Sequence, residues 1–338
     1  MRALFCERPG EVLLRELPDP SPGPGEVVVR VAAALTCGTD FKMIRRGHPK
    51  IPFPARLGHE FAGTVERAGS GARFREGDRV VPAVSGPCGE CPDCAAGEEN
   101  LCRSAFEQKA WGGFGDLVLL PPRVVDRALR RVPEGLPPRC AALLDPLASV
   151  VRGVARARSP RDGKVVVAGS GPIAFLFSVL WRRAGAEVLV AGRRSRQLGL
   201  HRRAGARTCD VREASLDSAV AEWTGGRGAR LVIDTTGNAT VAESLLPLVA
   251  RGGELQLFAG MPGDARLSLA SGRVHYDEVT VSGSFHYTPR EADEALGLLA
   301  SGAIPSGDVV TSTRPLAEYE EVFRDLSYGD AMKTCLVP

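Results

Sequence analysis

Lys164-Val165-Val166-Val167-Ala168-Gly169-Ser170-Gly171-Pro172-Ile173-Ala174 is the stretch on which the fold turns. Its first five residues are a short apolar run bounded by turn residues, the pattern of a strand buried on both faces. Two glycines follow, and Pro172 and Ile173 open a segment of helical spacing over residues 172–184. A pyrophosphate can lie at such a join. Gly169 permits the tight turn, Gly171 lets backbone approach the phosphates, and the helix start offers unpaired N–H groups and a positive dipole end. Ala174 takes the third small position, where helix and strand must pack closely. An ordinary glycine turn is the plainer alternative, and the strand and helix on either side argue against it.

Further strand and helix patterns follow: a strand at 187–191, a helix at 195–204, and strands at 231–234, 254–258 and 279–281. Repeated units of this size predict an α/β domain with a doubly wound parallel sheet. About 20 residues past a glycine turn, an acidic residue would bind the ribose hydroxyls of NAD(H) and repel a 2′-phosphate. Here the strand ends in Gly192-Arg193-Arg194 with no acid. Gly192 leaves room and two guanidiniums can grip a dianionic phosphate, so NADP(H) is favoured over NAD(H). The alternative is that Arg193 and Arg194 are solvated residues at a helix start.

Upstream the chain reads as irregular strand and loop. Val27-Val28-Val29-Arg30-Val31, residues 61–65, 79–82 and 117–120 have strand character, separated by glycine-rich turns. Residues 140–157 have helical spacing, with Pro146 near a turn or kink. Helices are expected near 291–300 and 316–326. The expected organisation is a catalytic domain over 1–138, a dinucleotide-binding domain over 139–287, and a return to the first domain over 288–338.

Within the first domain, Cys88-Gly89-Glu90-Cys91-Pro92-Asp93-Cys94 and Cys102 bring four thiols into one glycine- and proline-rich lobe, residues 86–103. Zinc accepts four thiolates tetrahedrally, and a site without a vacant position is structural. Disulfides fit poorly with nine cysteines and no secretory pattern. Earlier, Cys37-Gly38-Thr39-Asp40 and Gly58-His59-Glu60 offer a thiolate, an imidazole and a carboxylate. Mixed ligands that leave a position open suit a catalytic zinc. Taken singly, Cys37 would more often be a packed small side chain and His59 a structural histidine, and their order ahead of the four-cysteine lobe favours the metal reading. His48, between Gly47 and Pro49, reads as a surface-loop residue.

At 338 residues the chain exceeds what one core usually supports. A formal net charge of +3 with scattered arginines argues against a nucleic-acid partner, and no apolar run reaches membrane-span length. Met1-Arg2-Ala3-Leu4-Phe5 enters a strand pattern at once, so a reducing cytoplasm is the expected location.

In the order Cys-Gly-Thr-Asp, Gly-His-Glu, four-cysteine lobe, glycine turn, the chain resembles the zinc-dependent medium-chain dehydrogenases/reductases over essentially its full length. The resemblance implies an irregular β-rich, GroES-like catalytic domain built from both chain ends around a Rossmann-type domain, with the active-site zinc in the cleft between them. It implies two Zn²⁺ per chain. Cys37 and His59 are then ligands of the catalytic ion and Glu60 a ligand or exchangeable neighbour, while Cys88, Cys91, Cys94 and Cys102 match the structural site. Leu144-Asp145-Pro146-Leu147 is similar to the Glu-Pro-Leu stretch of the sorbitol and threonine dehydrogenase branch, whose glutamate reaches zinc directly or through water. Asp145 is one methylene shorter, and helix capping or pairing with Arg152 is its alternative role. Thr39 corresponds to the hydroxyl that relays the substrate proton, and Lys42 stands where a relay histidine is common. Thr235-Thr236-Gly237-Asn238 and Phe258-Ala259-Gly260-Met261 resemble loops that meet the nicotinamide, and Ser284-Phe285-His286-Tyr287 the return toward substrate.

The implied activity is reversible hydride transfer between a secondary alcohol and the nicotinamide, with a small alcohol or ketone as substrate: a polyol, cyclitol or sugar-derived alcohol. An L-threonine-like amino alcohol or a simple secondary alcohol is the second choice. A homodimer or homotetramer is implied. A catalytically silent zinc- and nucleotide-binding module on the same fold is the rival class, and it would lack Cys37 and His59.

Overall fold

The run Lys164–Ala168 is an inner strand of a six-stranded, wholly parallel sheet, with Val165, Val166 and Val167 fully buried. In spatial order the strands are Arg207–Asp210, Glu187–Gly192, Lys164–Ala168, Ala229–Asp234, Val249–Leu257 and Thr280–Gly283. Helices Pro172–Arg183, Ser195–Arg203, Leu216–Thr224 and Ala239–Leu245 alternate with the strands, the doubly wound arrangement in which ligands lie beyond the carboxyl ends of the strands. The computed structural model describes residues 1–47, 51–158, 163–328 and 331–338, and His48 lies outside them. Among the described residues no helix is long and apolar enough to cross a membrane.

Residues 149–286 form this unit, and residues 1–148 with 287–338 form a second. The sequence pattern changes at 139 and 288, whereas the compact units change at 149 and 287. Helix Leu144–Arg156 begins in one unit and ends in the other. A single helix over 140–157 does not form. Pro138–Ala141 is one short helix and Leu144–Arg156 another, because Pro146 has no N–H for the carbonyl of Ala142 and its ring would crowd that turn.

In the unit containing both chain ends, strand Val27–Leu35 is the hub. It pairs antiparallel with Glu60–Ala68, with Leu117–Leu120 and with the last strand, Lys333–Val337. Leu35 faces Glu60 on one side and Cys335 on the other. Phe61, Phe114, Leu35 and Leu4 fill the core beneath. A small antiparallel sheet of Glu11–Glu16, Arg2–Arg8 and Ala55–Arg56 belongs to the same unit.

The hub pairing contains a register shift between Val31 and Ala33, opposite Gly63. A Cβ at Gly63 would sit 2.0 Å from the Arg30 carbonyl oxygen. Gly63→Ala should therefore cost more than about 2 kcal/mol of unfolding free energy, read as a lower guanidinium midpoint. Gly297→Ala, in helix Pro289–Ala300 with nothing within 4 Å of the added carbon, should be neutral or slightly stabilising.

Candidate active site

Cys37 leaves the end of strand Val27–Leu35 and is the N-cap of helix Gly38–Arg46, its Sγ accepting from the Thr39 N–H at 3.5 Å. The neighbouring strand begins at Glu60, so pairing of Leu35 with Glu60 brings the two motifs together. Donor atoms of Cys37, His59 and Glu60 all lie within 4.8 Å of one another. Gly58 makes the approach possible. It has φ +88°, and a Cβ there would meet the Phe114 backbone nitrogen at 2.6 Å.

His59 is clamped on two sides. Fully buried Asp40 accepts from the Gly58 N–H at 3.2 Å and from His59 Nδ1 at 3.3 Å. A carboxylate only accepts, so the ring proton sits on Nδ1 and Nε2 is left as a lone-pair donor. Trp111 stacks on the imidazole at 4.7 Å and 12°, and its own Nε1–H is tied to the Arg56 carbonyl at 2.8 Å. Burial alone would raise the Cys37 thiol, but His59 and Lys333 outweigh it and bring the thiol down to about 6. Thr39 is half-buried on the first helical turn, and Lys42 is exposed.

Glu60 is not idle. Lys333 Nζ donates to its two oxygens at 2.8 and 2.5 Å and to the Thr36 carbonyl at 2.9 Å, with both side chains almost wholly buried. Burial pushes the Glu60 carboxyl up, and the ammonium pulls against that shift. Sequence reasoning missed Lys333. Its signal was a lysine inside the apolar strand Lys333-Thr334-Cys335-Leu336-Val337, in a chain with only five lysines.

Asp145 lies in the first turn of Leu144–Arg156 and outside the cluster of three donors. Its Oδ1 accepts from the Tyr287 hydroxyl at 2.5 Å, and that hydroxyl accepts from the Val84 N–H at 3.1 Å. Burial pushes the Asp145 carboxyl up to about 6, against the pull of His59. Asp40, Trp111 and Tyr287 were also unanticipated as partners.

The four thiols of Cys88, Cys91, Cys94 and Cys102 lie within 4.8 Å of one another. Cys88 Sγ is 3.9 Å from Cys94 Sγ and 3.6 Å from Cys102 Sγ. Tetrahedral zinc with bonds of about 2.3 Å requires sulfur separations of about 3.8 Å. Backbone N–H groups of Gly89, Cys91 and Cys88 point at the sulfurs of Cys94, Cys88 and Cys102, as they would to stabilise thiolates. All nine cysteines are free thiols. The donor set fits a structural zinc.

At the glycine turn, Gly169 has φ +114°, and a Cβ would meet Thr235 Oγ1 at 2.3 Å. Gly171 is the extended N-cap of helix Pro172–Arg183, with Pro172 at its first position and Ile173 half-buried beside it. The turn is backed by buried side chains: His201 Nε2 donates to the Ser170 carbonyl at 3.2 Å. Gln197, oriented so that its amide nitrogen donates to Ser170 Oγ at 3.1 Å, accepts from Arg194 Nη1 at 3.2 Å. Gly192 offers less space than its sequence suggests. A Cβ there would lie 2.5 Å from both Cβ and Oγ of Ser170. Arg193 and Arg194 are exposed just beyond. A carboxylate does stand nearby: Asp210 pairs with Gly192 in register from the next strand and is bound by Arg212 at 2.6 Å and Ser195 Oγ at 3.1 Å. Thr236 and the Phe258–Ala259 pair are anchored together on fully buried Asp234, whose Oδ1 accepts from Thr236 Oγ1 at 2.6 Å. The Asp234 carbonyl accepts from the N–H groups of Phe258 and Ala259 at 3.1 and 3.2 Å.

Residues 23–129 match the alcohol dehydrogenase GroES-like domain, and residues 176–301 the zinc-binding dehydrogenase domain. The chain is 32% identical to a D-altritol 5-dehydrogenase of Agrobacterium fabrum over 94% of each sequence. It is 28% identical to a sorbitol dehydrogenase of Halalkalibacterium halodurans, covering 97% of this chain and 96% of that one. Among solved structures, a zinc-binding dehydrogenase from Sinorhizobium meliloti bound to NADP superposes with a TM-score of 0.91 at 30% identity, covering 100% and 99% of the two chains. With the two metal-donor clusters, the glycine turn and these relatives in hand, the chain belongs to the zinc-dependent medium-chain dehydrogenase family and is an alcohol/polyol oxidoreductase with a nicotinamide cofactor.

Proposed function

We propose that the enzyme carries out NADP(H)-linked, reversible oxidation of a secondary hydroxyl on a polyol, cyclitol or sugar-derived alcohol. The observation that carries this reading is the convergence of Cys37, His59 and Glu60 donors within 4.8 Å. Similarity to a sorbitol dehydrogenase and a D-altritol 5-dehydrogenase supports the substrate class. The substrate carbon loses its hydrogen with the bonding electron pair, the hydroxyl loses its proton, and a ketone remains. When bound, zinc supplies Lewis-acid polarisation of the alcohol oxygen, and the nicotinamide supplies the two-electron acceptor.

The chain's own residues do the rest. Cys37 and His59 hold the metal, with Asp40 fixing the imidazole so that Nε2 is presented. Glu60, restrained by Lys333, is an exchangeable neighbour. Thr39, on the first helical turn, takes up the hydroxyl proton and passes it outward. Asp145, held by Tyr287, would orient a water beside the bound metal. Cys88, Cys91, Cys94 and Cys102 hold a second, structural zinc.

The absence of a carboxylate at the end of strand Glu187–Gly192, the adjoining Arg193 and Arg194, and neutralisation of Asp210 by Arg212 support NADP(H) over NAD(H). Gly169, Gly171, Pro172 and Ile173 would cradle the pyrophosphate, with Thr236, Phe258 and Ala259 toward the nicotinamide. Free thiols throughout support a reducing cytoplasm. The sheet edge at Thr280–Gly283, with Tyr276 76% exposed nearby, supports a homodimer or homotetramer.

Cys37→Ala should abolish turnover while leaving circular dichroism and NADP(H) binding intact, and near-normal activity would remove the metal assignment. Cys91→Ala should instead lower the melting temperature and release one zinc per chain, because structural zinc contributes directly to folding. NADP(H) should bind about 10- to 100-fold more tightly than NAD(H) by fluorescence titration; equal dissociation constants would refute the preference. Gly192→Asp alone should weaken both cofactors, since Ser170 occupies the space. Gly192→Asp with Ser170→Gly should turn the preference toward NAD(H). Asp145→Asn should lower turnover about 10- to 100-fold with an unchanged melting temperature; a lower melting temperature with normal turnover would assign Asp145 to helix architecture.

A further inference from the structure

Lys109 is a half-buried lysine close to the same site, and its surroundings differ from those of the buried Lys333. The Lys333 ammonium is saturated by Glu60 and the Thr36 carbonyl. Lys109 has no hydrogen-bond acceptor and no carboxylate partner among the described residues. Partial burial pushes its ammonium below the usual lysine range. The acid two positions away, Glu107, is turned to Arg123 at 3.8 Å. The neighbouring cation, Arg56, spends Nη2 on the carbonyls of Gly112 and Leu117 at 2.9 and 2.8 Å. A partly buried ammonium without a carboxylate partner leaves room for an anionic ligand to pair with it.

Its position is well defined. The Lys109 backbone bridges to Ser85, and the next N–H, of Ala110, donates to the Val84 carbonyl at 2.9 Å. Lys109 Nζ lies 5.8 Å from the Trp111 ring centroid, held there by the negative face of the indole. The same indole is stacked at 4.7 Å on His59. The ammonium is therefore one aromatic ring removed from the imidazole of the metal cluster, a span that an extended sugar-length carbon chain can bridge.

We propose that Lys109 is a substrate-recognition residue and that the preferred substrate is a polyhydroxy acid: an open-chain polyol with a terminal carboxylate, oxidised at a secondary hydroxyl near His59 while Lys109 holds the unchanged carboxylate. This rests on the reading in which the Cys37–His59–Glu60 cluster is the reacting centre. A neutral polyol brings only hydroxyls to the ammonium, whereas a carboxylate makes a charge-assisted hydrogen bond. The single positive charge of the ammonium matches a monoanionic carboxylate.

The test compares zinc-loaded wild type, Lys109→Met and Lys109→Arg, with NADP⁺, on sorbitol, a panel of hexonates and sorbitol 6-phosphate. Wild type should favour a hexonate. Lys109→Met should raise KM for that hexonate about 10- to 100-fold with kcat little changed, lowering the ratio of acid to neutral kcat/KM, and Lys109→Arg should restore most of the ratio. An unchanged ratio in Lys109→Met overturns the proposal. A loss confined to the phosphate ester overturns the carboxylate assignment and makes the anion a phosphate. If wild type oxidises no alcohol, the reacting-centre reading fails by itself. Tryptophan-fluorescence titration with hexonate against sorbitol then still decides the role of Lys109: hexonate binding lost in Lys109→Met supports it, and equal binding in both proteins overturns it.

Discussion

The Lys333 ammonium closed on both oxygens of Glu60 is the contact on which the metal cluster depends. A carboxylate this deeply buried is unfavourable unless paired, and removing one partner of such a pair typically costs about 3–5 kcal/mol. The pair also sets geometry. Lys333 opens the last strand, and that strand is locked by pairing of Cys335 with Leu35, the residue that also faces Glu60. A one-residue slip would turn the lysine to the opposite face of the sheet. The positions of Cys37, His59 and Glu60 are therefore consequences of strand register, and the segments that bear these donor atoms inherit their precision from three adjacent strands.

Around that frame, most reactive side chains are held by a partner that does no chemistry. Asp40 and Trp111 fix the two ring coordinates of His59, one through a hydrogen bond and one through stacking. Tyr287 bridges Asp145 to the Val84 backbone. In the nucleotide-binding unit, Asp234 gathers two loops from the ends of adjacent strands, while Gln197 and His201 brace the glycine turn from behind. Preorganisation of this kind removes the ordering cost at the moment of reaction.

What could be read in the sequence follows from how local the signal is. Lys164–Ala168, apolar after its first residue, and Leu117–Leu120, apolar throughout, were legible to the residue. Arg207–Asp210 was not, because as an edge strand it buries fully only Cys209 and carries no apolar run. The same holds at the site. Cys37, His59, Glu60 and the four cysteines stand in short motifs that announce metal chemistry. Their partners do not: Lys333 lies 273 residues from Glu60, and Tyr287 lies 142 residues from Asp145. Only the folded sheet brings such residues together. Gly192 shows the reverse failure, since its lack of a side chain reads as free space, whereas Ser170 already fills it.

The return of the chain to its first unit also orders events on the ribosome. Residues 149–286 form a contiguous unit that is complete before residue 333 is made, whereas the unit holding Cys37, His59 and Glu60 lacks strand Lys333–Val337 until after that. Contiguous domains fold as they emerge. Until then Glu60 has no counter-charge and strand Val27–Leu35 has an open edge. The nascent enzyme thus passes through a stage with a finished nucleotide-binding half and an unfinished metal-binding half. The donors of Cys37, His59 and Glu60 thereby reach their paired arrangement only after strand Lys333–Val337 has been made.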